Sequence, residues 1–428
     1  MKNKICKLLL YASALFIVLS LLFYFLDKIT VTGILLIAGF ICLATGVRGS
    51  EKLKGFSYTL WIFTAVTASM FYPQFFTSVG DFQLKRLIVP LLQIIMFGMG
   101  SQMSFDDFSG IIKMPRGVII GIFLQFTIMP FVGYALASIF NFPPEIAAGI
   151  ILIGCVPSGL ASNVMSFLAK ANLALAVTLS AVTTLLSPFI TPLLMKWLGG
   201  QFIEVNFWSM MLDILNMIIL PIVAGFTFNL FVKKFSLSRS SLLQLIAYII
   251  IVFLTALVFA RATDAGIKEL AIRLASSLFW FILLPAGGAL ALSGYLKNDA
   301  GTLTKILSFF SMAGIAVIIT IITASGRDSL LEVGVLLMFT SLIHNFTGYT
   351  LGYLFAWLFR MPERDRRTIA FEVGMQNGGL ASGLALQMGK VATVGLAPAI
   401  FGPLMNITGS VLANWWRGKP PKEVTKVP

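Results

Sequence analysis

At 428 residues the chain is long enough for two or three soluble domains, yet 58% of it is hydrophobic and only 11% charged, less than half the ~25% charged content of globular proteins. Mean hydropathy is +0.94, and apolar runs of roughly 18 residues or more fill nearly the whole length, which predicts an all-α polytopic membrane protein and leaves nothing for a soluble domain. The net charge of +14 does not point to nucleic acid, because the basic residues sit in short gaps between apolar runs, where membrane orientation puts them.

Taken in chain order, apolar runs bounded by charge, Pro or Gly predict helices over 5–26, 29–47, 57–74, 86–104, 117–140, 145–169, 172–198, 208–232, 240–261, 273–296, 303–324, 331–359, 368–389 and 392–416. That is about 14 transmembrane helices, and an even number places both termini on one side. Lys2, Lys4 and Lys7 precede a run that continues to Leu26, so the first helix reads as an uncleaved span. With the N-terminus in the cytoplasm, Lys28, Lys85, Arg86, Lys196, Arg261, Lys268, Arg273, Arg327 and Lys390 face outside and the remaining 22 of the 31 basic residues face inside. This bias favours cytoplasmic termini and a bacterial inner membrane. Cys6, Cys42 and Cys155 lie in or beside apolar runs without ligand spacing, so disulfide and zinc chemistry are not expected.

Ser158-Gly159-Leu160-Ala161-Ser162-Asn163 is echoed by Gly378-Gly379-Leu380-Ala381-Ser382-Gly383, seven helices later. Each copy leads into a helix with two prolines, Pro188 and Pro192 or Pro398 and Pro403. An odd offset makes the copies antiparallel, an inverted repeat of the kind that marks a transporter's binding site. Close packing of small residues is the simpler reading of the same glycines. Pro157-Ser158-Gly159 is the expected break in the first copy, and Gly374 with Gly378-Gly379 in the second.

Segment 368–389 carries Glu372, Gln376, Asn377 and Ser382, a poor set for a lipid-facing helix. Glu372 lies five residues from Arg367 and so has an interfacial reading, as a carboxylate reaching back toward water. Gln376 and Asn377, within about a turn, instead suggest oxygen ligands for a hard monovalent cation. Asn163 and Ser162 add more. Gln125, alone in an apolar helix, suits an interhelical hydrogen bond equally well. His344, the single histidine, reads as a packed, hydrogen-bonded side chain before a proton relay. Pairing it with Ser158 or Ser162 as an intramembrane protease needs a nucleophile–base contact. Asp213 is expected near the outer interface, and Trp415 and Trp416 beside Arg417 in an interfacial belt.

The segments 154–165 (Gly154-Cys155-Val156-Pro157 through Asn163-Val164-Met165) and 372–377 (Glu372-Val373-Gly374-Met375-Gln376-Asn377) resemble the two crossover-helix motifs of the bile acid:sodium symporter family. Gln125-Phe126-Thr127-Ile128-Met129-Pro130 resembles its third-helix motif, and Asn406-Ile407-Thr408-Gly409-Ser410 its last helix. The resemblance covers about 57–232 and 303–417. It implies inverted five-helix repeats forming a panel and a core, with two crossing discontinuous helices at the sodium sites. The surplus of four helices falls in two added hairpins. The implied division is therefore 1–56 (N-terminal hairpin), 57–232 (first repeat and first helix of the second), 233–302 (inserted hairpin), 303–417 (rest of the second repeat) and 418–428 (tail).

By the same resemblance, one sodium site uses Gln125, Glu372, Gln376 and the carbonyls of Val373 and Met375. The other uses Ser162, Asn163, Glu372 and Ser180, with Ala176 where a further hydroxyl is expected, so that site loses a ligand. Substrate contacts fall to Ser158, Leu160, Asn377, Asn406 and Thr408. Leu160 stands where threonine is common and Met405 where histidine is, which implies a more apolar cavity or a different organic acid. The implied function is sodium-coupled import of an organic anion, a carboxylate above all, by alternating access in a lipid bilayer. A proton-coupled transporter on the same fold is the alternative, and a non-transport membrane enzyme a more distant one.

Overall fold

A computed structural model describes residues 2–50, 53, 56–234, 300–419 and 421. The expected helices 240–261 and 273–296, and most of the expected inserted hairpin, lie outside the described residues. Every other expected span meets a helix. The order is α1 (Lys2–Phe25), α2 (Ile29–Gly46), α3 (Ser57–Phe71), a two-stranded antiparallel hairpin of β1 (Ser78–Val79) and β2 (Phe82–Gln83), then α4 (Ile88–Gly100), α5 (Phe105–Lys113), α6 (Pro115–Ile139), α7 (Pro144–Cys155), α8 (Leu160–Leu168), α9 (Leu173–Leu198) and α10 (Phe207–Ile214). After a π turn at Leu215–Ile219 come α11 (Leu220–Lys234), α12 (Ala300–Ser325), α13 (Arg327–Leu358), α14 (Glu363–Gly374), α15 (Gly378–Gln387) and α16 (Leu396–Arg417). Among the described residues seven helices are long and apolar enough to cross a membrane, or up to eight if a bent pair counts as one span. The protein is thus all-α and multi-pass.

Two expected spans turn out to be pairs of short helices. The run 145–169 is α7 plus α8, and 368–389 is α14 plus α15. Pro157 explains the first break: it biases the residue before it away from helical angles, and Val156 is extended at φ −80°, ψ 158°. The second break has no proline. Met375 is extended at φ −114°, ψ 100°, and α15 restarts where the side chain of Asn377 accepts from the N–H of Leu380 at 3.0 Å, a side-chain cap on orphan helix donors. Asn172 caps α9 in the same way through Leu175 N–H.

The run 86–104 also departs from a straight span. Its helical part, Leu84–Gly100, is followed after a 68° bend by Phe105–Lys113. Ser104 and Asp107 mark the restart, with the Ser104 N–H donating to Asp107 Oδ2 at 2.7 Å, one half of a capping box.

The chain divides into two compact units. One comprises Met1–Ile88, Phe108–Asp213 and Ile315–Pro428; the other comprises Val89–Asp107 and Ile214–Gly314. In the second, α4 and α11 pack backbone to backbone. A Cβ on Gly100 would lie 2.0 Å from the Ile222 carbonyl oxygen, and one on Gly225 would lie 2.0 Å from that of Phe97. Small residues at such contacts are how helices associate without a hydrophobic driving force between them. Asn229 Nδ2 donates to the Met103 carbonyl at 2.8 Å, where the chain leaves α4. The first unit holds both broken helices.

Candidate functional site

Breaking a helix inside a membrane frees backbone groups that lipid cannot satisfy, so where those groups go defines the site. The two breaks pair with each other. Ser158 and Gln376 form an antiparallel bridge, with Gly159 N–H donating to the Met375 carbonyl (3.0 Å) and Asn377 N–H to that of Pro157 (2.8 Å). Gly159 is required by this approach, since a Cβ there would lie 2.9 Å from the Gln376 carbonyl oxygen. Side chains take four further carbonyls. Thr191 Oγ1 donates to Cys155 O at 2.8 Å, Gln125 Nε2 to Val156 O at 3.1 Å, Gln376 Nε2 to Val373 O at 2.5 Å and Asn345 Nδ2 to Gly374 O at 2.7 Å. Little in the sequence marks Thr191 and Asn345 beyond a threonine beside Pro192 and an amide beside His344.

At this crossing lies Glu372, 2% exposed. Three hydroxyls surround its carboxylate: Ser158 Oγ at 2.5 Å and Ser180 Oγ at 2.9 Å from Oε2, and Ser162 Oγ at 2.5 Å from Oε1. Ser158 and Ser180 also lie 3.3 Å apart, Ser162 Oγ is 2.8 Å from the Gly159 carbonyl, and Ser180 Oγ is 3.3 Å from Asn163 Oδ1. Each hydroxyl has one proton to donate, so three protons face six oxygen–oxygen contacts. Among the described residues no lysine or arginine pairs with Glu372. Arg367, the nearby candidate, is itself buried and bonds Glu363, the carbonyls of Ala169, Trp416 and Lys419, and the face of the Trp416 ring. Glu372 is therefore not an interfacial carboxylate. It sits in an oxygen-rich pocket short of positive charge, the setting that suits a small hard cation or an added proton.

Beside it a second chain of polar groups runs from Gln125, whose Nε2 donates to Gln376 Oε1 at 2.8 Å. Gln125 is 1% exposed, and its Oε1 is a buried acceptor without a protein partner. The structure thus links Gln125, Gln376 and the Val373 carbonyl in one chain of contacts, links Ser162, Ser180, Asn163 and Glu372 in another, and gives the Met375 carbonyl to the Gly159 N–H. Ala176, one turn before Ser180 on α9, is fully buried and brings no oxygen.

The residues expected to touch substrate are more dispersed. Ser158 is on Glu372. Asn377 caps α15, and Leu160 is 38% exposed. Thr408 is committed to Asn345 Oδ1 and to its own helix at Leu404 O, next to Tyr349, whose hydroxyl donates to Met405 O at 3.2 Å. Asn406 is half-buried on α16. His344 is packed, with Nε2 donating to the Met129 carbonyl at 2.9 Å, and neither Ser158 nor Ser162 is among its partners.

The profile of the sodium bile acid symporter family matches residues 89–269. The chain is 32% identical over 378 residues to the Bacillus subtilis (strain 168) protein named "uncharacterized sodium-dependent transporter YocS", covering 88% of this chain and 96% of that one. The chain belongs to the sodium bile acid symporter family. Other relatives similar to it include a "probable sodium/metabolite cotransporter BASS1, chloroplastic" of Arabidopsis thaliana, 29% identical over 78% of this chain and 67% of the relative. The rice (Oryza sativa subsp. japonica) protein of the same name is 24% identical over 87% of this chain and 75% of the relative. A family of transporters leaves no place for the enzyme alternative.

Proposed function

We propose that this protein is a sodium-coupled symporter that imports an organic anion, of the carboxylate class, by alternating access. The observation that carries the reading is Glu372: a buried carboxylate with three hydroxyls, no cationic partner among the described residues and a crossing of two broken helices around it. Sodium completes the oxygen set that Glu372 shares with Gln125, whose Oε1 has no protein partner, with Gln376 and with the carbonyls of Val373 and Met375, and the serine side, without an oxygen at Ala176, is the weaker place for a second ion. Protons alone would satisfy Glu372 but leave Gln125 Oε1 unused, which favours sodium over the proton-coupled alternative. The names of two relatives, sodium-dependent transporter and sodium/metabolite cotransporter, agree with this.

An inverted repeat is part of the same proposal, and several pairings support it. Gln125 on α6 bonds the end of the first broken segment as Asn345 on α13 bonds the end of the second. Glu145, opening α7, bonds Lys390 and Thr393 beyond α15. Asp365, opening α14, is bonded by Asn172 beyond α8. We further propose fourteen spans in all, with residues 57–232 and 303–417 as the repeats, 1–56 and 233–302 as added hairpins, and both ends of the chain in the cytoplasm of an inner membrane. Packing of α1 on α2, with Gly39 against Ile17 and Gly46 against Leu10, supports the first hairpin. Substrate is assigned to Asn377, Asn406, Thr408, Leu160 and the backbone near Ser158.

The test is uptake of labelled carboxylates into proteoliposomes under a sodium gradient, against an equal potassium gradient at fixed pH. Sodium-driven accumulation is expected; accumulation that follows a pH gradient and ignores sodium would put the proton reading in its place. Two sodium ions with a monoanion carry one net charge, worth about 2.3 kcal/mol per 100 mV. Since Ala176 brings no oxygen to the Ser180 face, one-ion, voltage-insensitive transport is expected, and Ala176→Ser should raise the Hill coefficient for sodium. A voltage-dependent current in the wild type would count against the lost ligand.

A further inference from the structure

Away from the crossing, the junction of α5 with α6 meets the junction of α13 with α14 around a cleft of about 250 Å³. Three basic side chains line it, Lys113, Arg116 and Arg360, with one carboxylate, Asp365. None of the three is in an ion pair among the described residues. Arg116 is partly fixed, since its Nη2 donates to the Phe359 carbonyl at 2.6 Å, which leaves its other guanidinium donors for the cleft that it lines with Arg360. Asp365 is held by Asn172 Nδ2 at 2.8 Å. One carboxylate against three cations leaves the cleft two charges positive.

The backbone adds to this. Arg360 is in the left-handed region at φ +54°, where a helix normally ends on glycine, so an arginine stands there against backbone preference. Its N–H and that of Met361 close the end of α13 on Trp357 and Ala356, which fixes the turn that presents the guanidinium. At the other wall, α6 opens at Pro115 with no side-chain cap from Met114, and the N-terminal end of a helix favours negative charge.

The flanks of the cleft are apolar and open. Ile112 is 86% exposed, Ile119 66%, Leu358 62% and Trp357 56%. In a chain that crosses a bilayer, such side chains meet acyl chains, and a basic cleft between them lies at headgroup depth. We propose that the cleft formed by Lys113, Arg116 and Arg360 binds the phosphate of an acidic membrane lipid, with guanidinium and ammonium groups on the phosphate oxygens and the lipid's tails along Ile112, Ile119 and Leu358. Free phosphate offers the same oxygens but makes no use of the apolar flanks. The inference does not depend on what the protein transports.

Thermal unfolding of delipidated protein in a neutral detergent tests it, with phosphatidylglycerol, phosphatidylcholine or inorganic phosphate added. Phosphatidylglycerol is expected to raise the midpoint and phosphatidylcholine to leave it unchanged. Lys113→Gln/Arg360→Gln is expected to weaken the apparent affinity for phosphatidylglycerol roughly tenfold or more, and Lys196→Gln, exposed elsewhere, not at all. If the double variant does not fold, Lys113→Gln alone and Arg360→Lys are compared in its place, each expected to show a smaller loss. Undiminished phosphatidylglycerol binding in the variants would overturn the site. Equal protection by inorganic phosphate would overturn the lipid as its occupant.

Discussion

Glu372→Gln is expected to abolish the part of the protein's thermal stability that depends on sodium. A ligand that binds only the folded state stabilises it by RT ln(1+[L]/Kd), about 1.4 kcal/mol at ten times Kd and about 2.7 kcal/mol at a hundred times. Wild-type protein in sodium should therefore unfold several degrees above the same protein in choline, and the variant at one temperature in both. The sign in choline is informative as well. An ion-free Glu372 is a buried charge with hydroxyl partners alone, a situation that costs on the order of several kcal/mol. Glutamine keeps the shape and removes the charge, so the variant in choline should match or exceed the wild type in choline. A sodium shift of undiminished size in Glu372→Gln would remove this residue from the ion site. A stabilisation that tracks pH and ignores the cation would replace sodium by protons.

The second large effect is expected from a pair of glycines that look alike in the sequence. A Cβ at Gly374 would lie 2.2 Å from Cδ1 of Tyr349 and 2.4 Å from its Cε1. That ring cannot swing aside freely, because its hydroxyl holds the Met405 carbonyl and its edge packs on Phe371, with ring centroids 6.0 Å apart. A Cβ at Gly378 would meet its nearest neighbour, the Pro398 carbonyl oxygen, at 3.4 Å, an ordinary contact. Overpacking costs typically 1–3 kcal/mol, occasionally more, while Gly→Ala in an open helical position gains about 1 kcal/mol or less. Gly374→Ala should therefore lower the unfolding midpoint sharply and weaken sodium protection, since Val373 and Met375 flank it. Gly378→Ala should be neutral or slightly stabilising. Truncating the obstacle, in Gly374→Ala/Tyr349→Ala, should restore part of the sodium shift. Equal midpoints for the two single alanines would show that the break at 375–377 does not depend on this contact.

The sequence made the spans visible because apolar length is a strong signal, and it made the first break visible because Pro157 dictates the angles of Val156. It located Glu372, Gln376, Ser162 and Gln125 through their type in apolar surroundings and through family likeness. Their mutual geometry was another matter. The motif position of Ser158 points to substrate, yet its hydroxyl lies on Glu372, a partner 214 positions away that no local pattern encodes. Thr191 and Asn345 bond freed carbonyls across the fold for the same reason. The bend after Gly100 had a local sign, Ser104 followed by Asp107, but the apolar run hid it. The hairpin 78–83 had one too, in Gly80, whose φ of +57° is the left-handed turn glycine permits.

The pairing of the two breaks also sets an order of events in the cell. While the chain is being made, Val156–Gly159 enters the membrane with the Gly159 N–H and the Pro157 carbonyl unmet, because their partners at 375–377 do not yet exist. At about 5–20 residues per second of synthesis, the 214 residues between Ser158 and Glu372 take on the order of 10 to 40 s. For that interval the first broken helix must keep water, the insertion machinery or a temporary helical closure against its exposed backbone. A ribosome stalled between these two points would leave a nascent chain whose first crossover segment is a target for membrane proteases, and release of the stall would end that susceptibility as Met375 and Asn377 arrive.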